Sequence, residues 1–305
     1  MNHRELIAAL TPLHGAGEAR AIVRMVMEER FGLSQTDLLL GKDTTLSPND
    51  RAEMEKIAGR LLTGEPVQHV LGYADFCGHR FRVTPDVLIP RPETEELVAW
   101  ATELYSSFVT RHSSFVIRHS SFVISHSSFH LLDLCTGSGC IAISLAMAFP
   151  QAHVVGVDIS DAALAIARDN AHTLNASNVE FLKYNILSEN TDSSPPWGEL
   201  ERGFSLLTAN PPYVLDSEAA TMSPTVLDYE PSLALFVPDD DPLRFYRAIA
   251  AIGRRYLLPG APLLVEINAA LADQTRSLFE SFGYTDIQLR DDRFGRPRML
   301  CAQMP

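Results

Sequence analysis

Three things are scarce in this chain of 305 residues: cysteine, basic charge and long apolar runs. The four cysteines, Cys77, Cys135, Cys140 and Cys301, contain no Cys-x-x-Cys pair, so the sequence offers neither a disulfide framework nor a zinc site, and no metal is expected. Lys and Arg number 25 against 38 Asp and Glu, a formal net charge of −13. Phosphate contacts need Lys and Arg, so a chain this acidic is a poor general binder of DNA or RNA backbone, and no direct nucleic-acid partner is expected. No apolar stretch approaches the ~18 residues needed to cross a bilayer, which argues against a membrane protein. The opening Met1-Asn2-His3-Arg4-Glu5 lacks a signal-peptide pattern. A monomer in the reducing cytoplasm is the expectation.

What is present describes an ordinary globular protein, with 46% hydrophobic and 21% charged residues. The length allows about two domains at ~150 residues each. Residues 1–74 read as a small helical bundle. Its first clear helix has apolar residues at Ile22, Val23, Met25, Val26 and Met27 and stops at Gly32. A second starts at Ser47-Pro48-Asn49-Asp50, with Ser as N-cap, Pro at the first helical position and an acid three residues after the cap. The bundle carries no catalytic cluster and reads equally as a structural cap or a docking module. Residues 75–90, with Phe76, Phe81, Val83, Val87, Leu88 and Ile89, read as a hairpin linker. Arg91-Pro92-Glu93-Thr94-Glu95-Glu96 then opens a helix with acids in its first turn, as the helix dipole favours.

Residues 91–305 form the second domain, interrupted at 106–130 by a low-complexity insertion. Ser-Ser-Phe-Val recurs from Ser106, Ser113 and Ser120, with a partial copy at Ser127-Ser128-Phe129. The period is seven, but no Leu/Ile seam accompanies it, so it is not a coiled coil. His112, His119 and His126 repeat with it. A surface loop is expected here rather than a metal site. From residue 130 strands and helices alternate. Strands are predicted at 130–135, 153–158, 179–184, 204–209, 261–267, 284–290 and 297–303, and helices near 139–149, 160–174, 242–257 and 270–282. The first strands are continuously apolar, as in a parallel sheet covered on both faces. The predicted fold class is therefore α/β, a doubly wound, Rossmann-like, seven-stranded sheet.

Asp133-Leu134-Cys135-Thr136-Gly137-Ser138-Gly139 runs from a strand through a Gly turn into a helix. Glycines there let the backbone approach a ligand closely. Gly137, Gly139 and Ala142 fit G-x-G-x-x-A, the dinucleotide fingerprint, so the motif alone does not separate a nicotinamide from another adenosine cofactor. The next strand ends in Asp158, which can accept hydrogen bonds from both hydroxyls of a ribose. Its bland alternative is a place in the start of the next helix, capped by Ser160.

Asn210-Pro211-Pro212-Tyr213 follows the fourth strand of this domain. Each Pro fixes its φ and has no N–H, and a residue before Pro is pushed to an extended conformation. The Asn210 side-chain oxygen and nearby carbonyls then form a stiff cluster of acceptors suited to a planar NH2 group, with Tyr213 as a flat wall. In a doubly wound sheet the fourth strand lies beside the first, so this corner opens onto the cofactor crevice. Hydride transfer has no use for such a grip, whereas methyl transfer to nitrogen does.

With those residues in hand, the chain closely resembles the release-factor glutamine methyltransferases, bacterial enzymes that methylate the side-chain amide of a Gln in class I peptide release factors. The matching segments are Gly64-Glu65-Pro66 with Gln68-His69, Ile89-Pro90-Arg91-Pro92-Glu93-Thr94-Glu95, the Asp133–Gly139 loop, Asp158, Asn210–Tyr213 and Tyr229-Glu230-Pro231. The resemblance implies a class I methyltransferase domain using S-adenosyl-L-methionine, an N-terminal domain that docks the protein substrate, and the glutamine of a Gly-Gly-Gln motif as acceptor. It implies that Cys135, Thr136, Gly137, Ser138 and Gly139 contact the methionine part, Asp158 the ribose, and Asn185 and Ile186 the adenine. It implies that Asn210 with Pro211, Pro212 and Tyr213 carries catalysis, Asn210 also lying against the cofactor. The chain departs from the family at Asn185, often an acid, at Ser205, commonly Asp, and at Asn268, usually Gly. Neither Ser205 nor Asn268 is expected to touch the central motif. The rival readings are an adenine-N6 methyltransferase on nucleic acid, using the same corner on a flipped base, and a non-catalytic module that only binds the cofactor.

Overall fold

The computed structural model describes residues 1–113, 129–188, 195–197 and 203–305. The chain divides into two compact units. The first comprises Met1–Tyr73, Val83–Pro85 and Met222–Glu230, and the second Ala74–Arg82, Asp86–Thr221 and Pro231–Pro305.

The first unit is helical: α1 (His3–Phe31), α2 (Gln35–Leu39), α3 (Pro48–Leu62) and α4 (Val67–Leu71). Asn2 and Glu5 form a reciprocal capping box at the start of α1, which ends at Gly32 in the left-handed region, φ 63°. Ser47 caps α3 by accepting from Asp50 N–H, with Pro48 behind it as expected. The bundle closes over Leu6, Leu10, Val23, Val26, Met27, Met54 and Leu61, all at most 1% exposed. Arg30 ties α1 to α4 by donating to the Leu71 carbonyl at 2.6 Å. The distant segment 222–230 belongs to this unit because Tyr229 donates its hydroxyl to the Thr63 carbonyl at 2.9 Å.

In the second unit a hairpin of β1 (Tyr73–Phe76) and β2 (His79–Arg82) precedes α5 (Pro92–Ser113). The main elements follow as β3 (His130–Leu134), α6 (Cys140–Ala148), β4 (His153–Asp158), α7 (Asp161–Thr173), β5 (Val179–Lys183) and β6 (Phe204–Ala209). A short β7 (Val214–Leu215) pairs with β8 (Phe236–Val237); between them lie α8 (Pro224–Tyr229), part of the first unit, and α9 (Ser232–Leu235). The chain ends in α10 (Arg244–Tyr256), β9 (Pro262–Glu266), α11 (Ala272–Ser281), β10 (Thr285–Asp291) and β11 (Pro297–Gln303).

Seven strands make one sheet in the order β10-β11-β9-β6-β3-β4-β5. β3 pairs in parallel with both β4 and β6, while β11 runs antiparallel to β9 and β10. The strand order reverses at β3/β6, which is the crevice where doubly wound sheets bind ligands. Side-chain alternation explains the two cores. Leu131, Val154, Leu206 and Leu264 point to one face, with α6 and the buried side of α5. Leu132, Leu134, Val155, Leu207, Leu263 and Val265 point to the other, with α10 and α11.

The insertion differs from the loop expected at 106–130. Residues 106–113 continue α5, and Phe108 is 1% exposed. The reason is spacing: Leu97, Ala101, Tyr105 and Phe108 fall on one helical face, so the first Ser-Ser-Phe-Val copy extends an existing buried stripe. Residues 114–128, with His119 and His126, lie outside the described residues. Among the described residues no helix is long and apolar enough to cross a membrane.

Candidate active site

The turns after β3, β4, β5 and β6 line one cavity of about 320 Å³ in the second unit. On its wall the structure brings together Cys135, Thr136, Gly137, Ser138, Asp158, Asn185, Ile186, Asn210 and Pro212. Gly139, Pro211 and Tyr213 adjoin residues of that wall and are not themselves among its lining residues.

The loop after β3 is held by hydrogen bonds to its backbone and hydroxyls. Thr136 N–H donates to the Val157 carbonyl at 2.9 Å, and Gly139 N–H to the Thr136 carbonyl at 2.8 Å. Beneath it Asp133, fully buried, accepts from Thr136 Oγ1 at 2.6 Å and Thr208 Oγ1 at 2.8 Å, bracing the loop against β6. Burial pushes the Asp133 carboxyl up to about 7, against those hydroxyls. Gly139 has φ 80°, and a Cβ there would lie 3.0 Å from Ile143 and Phe181, so this glycine serves close packing of helix on sheet. A Cβ at Gly137, by contrast, would meet nothing within 4 Å. The Cys135 thiol is pushed well up by burial and by the Asp158 and Asp133 carboxylates, which makes it a poor nucleophile.

Asp158 is half-buried at the end of β4. Its Oδ2 accepts from Gly137 N–H at 2.9 Å and its Oδ1 from Ser160 N–H at 3.0 Å. Ser160 caps α7 by accepting from Ala163 N–H. The capping role thus falls to Ser160, and the Asp158 carboxylate keeps acceptor capacity toward the cavity. Asn185 accepts from Leu187 N–H at 3.0 Å through Oδ1, shaping the turn that carries Ile186 onto the wall.

At the end of β6, Asn210 donates through Nδ2 to Thr94 Oγ1 at 3.3 Å. Thr94 donates to Glu266 Oε2 at 2.7 Å, and Tyr213 donates its hydroxyl to Glu266 Oε1 at 2.7 Å. Tyr213 is thus pinned inward by its hydroxyl, with Arg298 over its ring at 6.0 Å. Burial and the Glu266 carboxylate push the Tyr213 phenol well above its ordinary value, so it stays a donor. Burial also raises Glu266, while the two hydroxyls and Arg298 pull it back.

Of the two departures expected to stay clear of the central motif, one does not. Asn268 does touch the central motif: its Nδ2 donates to the Tyr213 carbonyl at 3.1 Å and to Glu218 Oε2 at 2.9 Å. A carboxamide reaches across a gap that a glycine leaves open, and nothing in the local sequence signals it. Ser205, fully buried, donates to the His130 carbonyl at 3.0 Å and is satisfied without charge, away from the motif. Sequence reading also missed Tyr184, Arg91, Thr94 and Phe245 on the cavity wall. The Ile-Pro-Arg-Pro-Glu-Thr-Glu segment was the available signal for Arg91 and Thr94.

The cavity fits S-adenosylmethionine. Its volume is at the lower end of small-molecule sites, ~300–1,000 Å³. Gly137 leaves room at the loop, Asp158 offers carboxylate acceptors, and Val157, Ile159, Tyr184 and Ile186 give apolar walls for a flat ring.

Residues 125–210 match the methyltransferase domain family and residues 6–72 the PrmC N-terminal domain family. The release factor glutamine methyltransferase of Bacteroides thetaiotaomicron is 40% identical over 294 residues, covering 96% of each chain. That of Flavobacterium psychrophilum is 36% identical over 300 residues, covering 98% of this chain and 97% of its own. Among solved structures, the hMettl16 catalytic domain in complex with the MAT2A 3′UTR hairpin 6 aligns with TM-score 0.52 at 13% identity, over 94% of this chain and 82% of that one. This last likeness speaks to the fold alone.

Proposed function

The chain belongs to the release factor glutamine methyltransferase family, and from that premise we propose that its acceptor is the side-chain amide nitrogen of the glutamine in the Gly-Gly-Gln motif of class I peptide release factors. It is an S-adenosylmethionine-dependent methyltransferase. The observation that carries the proposal is the meeting of Asn210 and Pro212 with the Gly137 loop and Asp158 on one cavity.

An amide nitrogen is a poor nucleophile, because its lone pair is delocalised into the carbonyl. The chain's task is therefore to hold it. Asn210 Oδ1 and the Pro211 carbonyl each accept one hydrogen of the substrate NH2, which aims the nitrogen at the methyl and favours positive charge developing on it. Fixed acceptors of this kind supply several kcal/mol of a barrier, on the order of one well-placed oxyanion donor or better. Asp158 would hold the ribose hydroxyls, Asn185 and Ile186 would border the adenine, and the Cys135 to Gly139 loop would take the methionine end. Bound S-adenosylmethionine would supply an electrophilic sulfonium methyl, with its thioether as leaving group and water taking one amide proton. No strong base need act before transfer. Tyr213 sets the corner from behind, through its hydroxyl. The helical unit docks the release factor.

The test is label transfer from radiolabelled S-adenosylmethionine to a class I release factor, wild type or with the Gly-Gly-Gln glutamine replaced. Label entering the first and absent from the second is the expected result. Equal label in both, or label only in added nucleic acid, overturns the assignment of the acceptor.

A further inference from the structure

Behind the acceptor corner, four side chains from separate parts of the second unit form one connected set. Glu266 ends β9 at 1% exposure, and Thr94 sits in the first turn of α5 at 2%. One Glu266 oxygen accepts from Tyr213 and the other from Thr94, each at 2.7 Å, and Thr94 Oγ1 accepts from Asn210 Nδ2 at 3.3 Å. The direction of these bonds follows from proton counting. A threonine hydroxyl has one hydrogen. Once that hydrogen goes to the carboxylate, Oγ1 has only lone pairs to offer, and the part of Asn210 that meets it must be the amino group. The Asn210 oxygen is thereby turned away from Thr94.

We propose that Glu266, acting through Thr94, fixes the Asn210 carboxamide with its oxygen toward the substrate, and through its second oxygen locks Tyr213, so that Glu266 and Thr94 are positioning residues of the acceptor corner. The inference rests on Asn210 being the acceptor of substrate amide hydrogens. The two ends of a carboxamide have nearly the same shape, so packing alone does not choose between them. A flipped Asn210 would set its own NH2 against the substrate NH2, donor facing donor. The Thr94 hydroxyl prevents that because its polarity is set by a carboxylate that can only accept. The second arm acts on the same turn: with Tyr213 held by its hydroxyl, the Pro211-Pro212 corner is fixed at both ends. Small displacements at such a corner are expensive, since ~1 Å of misplacement can lower a rate ~100-fold.

The variants Thr94→Val, Thr94→Ser and Glu266→Gln separate this role from plain packing. Valine keeps the shape and loses the hydroxyl, whereas serine keeps the hydroxyl. Glutamine keeps the shape of Glu266 but replaces one of its two acceptor oxygens with an NH2 donor, so one arm of the set loses its acceptor. Expected for Thr94→Val and Glu266→Gln is a kcat lowered about 10- to 100-fold, with cofactor Kd by calorimetry within about two-fold and thermal midpoint little changed. Thr94→Ser should stay within about three-fold of wild type in kcat. A second readout is independent of turnover: the Asn210 side-chain NH2 resonance in 15N-labelled protein, assigned by its loss in Asn210→Ala. It should be shifted and exchange-protected in wild type and Thr94→Ser, and move toward the free-amide position in Thr94→Val. Wild type that never labels a release factor overturns the proposed acceptor, and the resonance then decides the relay by itself. An unmoved resonance in Thr94→Val overturns the relay. So does a Thr94→Val enzyme as active as wild type, or equal losses in Thr94→Val and Thr94→Ser. If Thr94→Val does not fold, Glu266→Gln decides the matter by the same two readouts.

Discussion

β3 and β6 lie side by side and each ends in a turn on the same cavity, yet the two turns are built on opposite plans. The loop after β3 is contiguous and made of backbone: glycines, N–H groups and one carboxylate beneath, all within residues 133–139 and braced by Asp158 of the next strand. The corner after β6 is made of side chains whose supports come from residues 94, 266 and 268. A cofactor keeps its shape from one reaction cycle to the next, and a local loop suffices to hold it. The acceptor amide arrives on another protein and must be oriented by groups that do not move, which the rigid sheet supplies from several strands and helices at once.

If the two plans divide the work, variants should divide the same way. The largest effect belongs to Asn210→Ala, expected to lower kcat at least ~100- to 1,000-fold, as loss of a fixed transition-state contact does, with cofactor affinity nearly intact. A parallel loss of cofactor affinity, read by calorimetry, would erase the division. Asp158→Ala should do the converse: cofactor Kd about 10- to 100-fold weaker, with kcat at saturating cofactor within a few-fold, because a charge-assisted pair of hydrogen bonds is worth ~1.5–3 kcal/mol.

Asp133 offers a sharper probe of the loop plan, read in stability. Its native carboxyl is pushed up to about 7, so between about pH 4 and 7 the folded chain binds more protons than the unfolded one. Unfolding free energy contributed by this group therefore falls as pH rises through that window, by at most about 1.4 kcal/mol per pH unit, and levels off above it. Denaturant melts of Asp133→Asn should show a flatter pH dependence there than wild type; an unchanged slope would remove Asp133 as its source. The smallest expected effect is Asn268→Gly, which loosens the Tyr213 carbonyl and should lower kcat about three- to ten-fold while leaving cofactor Kd alone. Steady-state kinetics that separate kcat from the cofactor KM would check it.

The same contrast explains what was legible in the sequence. The apolar runs at 130–134, 153–158 and 204–209 were plain because a strand buried on both faces has almost no polar residues to confuse it. The Gly137 loop and Asp158 were plain because their spacing along the chain is their geometry. Thr94, Glu266 and Asn268 were not read as supports of Asn210 and Tyr213. Their meaning lies in who meets them across the fold, at sequence separations of 116, 53 and 55 residues for the bonds to Asn210 and Tyr213. The helix running through Ser113 was missed for a different reason: a serine-rich repeat looks like a loop until Phe108 is seen to complete the stripe of Leu97, Ala101 and Tyr105.

The interleaving of the two units has a practical corollary about divisibility. The chain passes from one unit to the other five times, at 73/74, 82/83, 85/86, 221/222 and 230/231. No single cut in the polypeptide can therefore release either unit whole. A fragment ending near residue 73 would carry all four bundle helices but lose Tyr229, the donor to the Thr63 carbonyl. Dissection of this protein calls for rejoining segments rather than trimming ends.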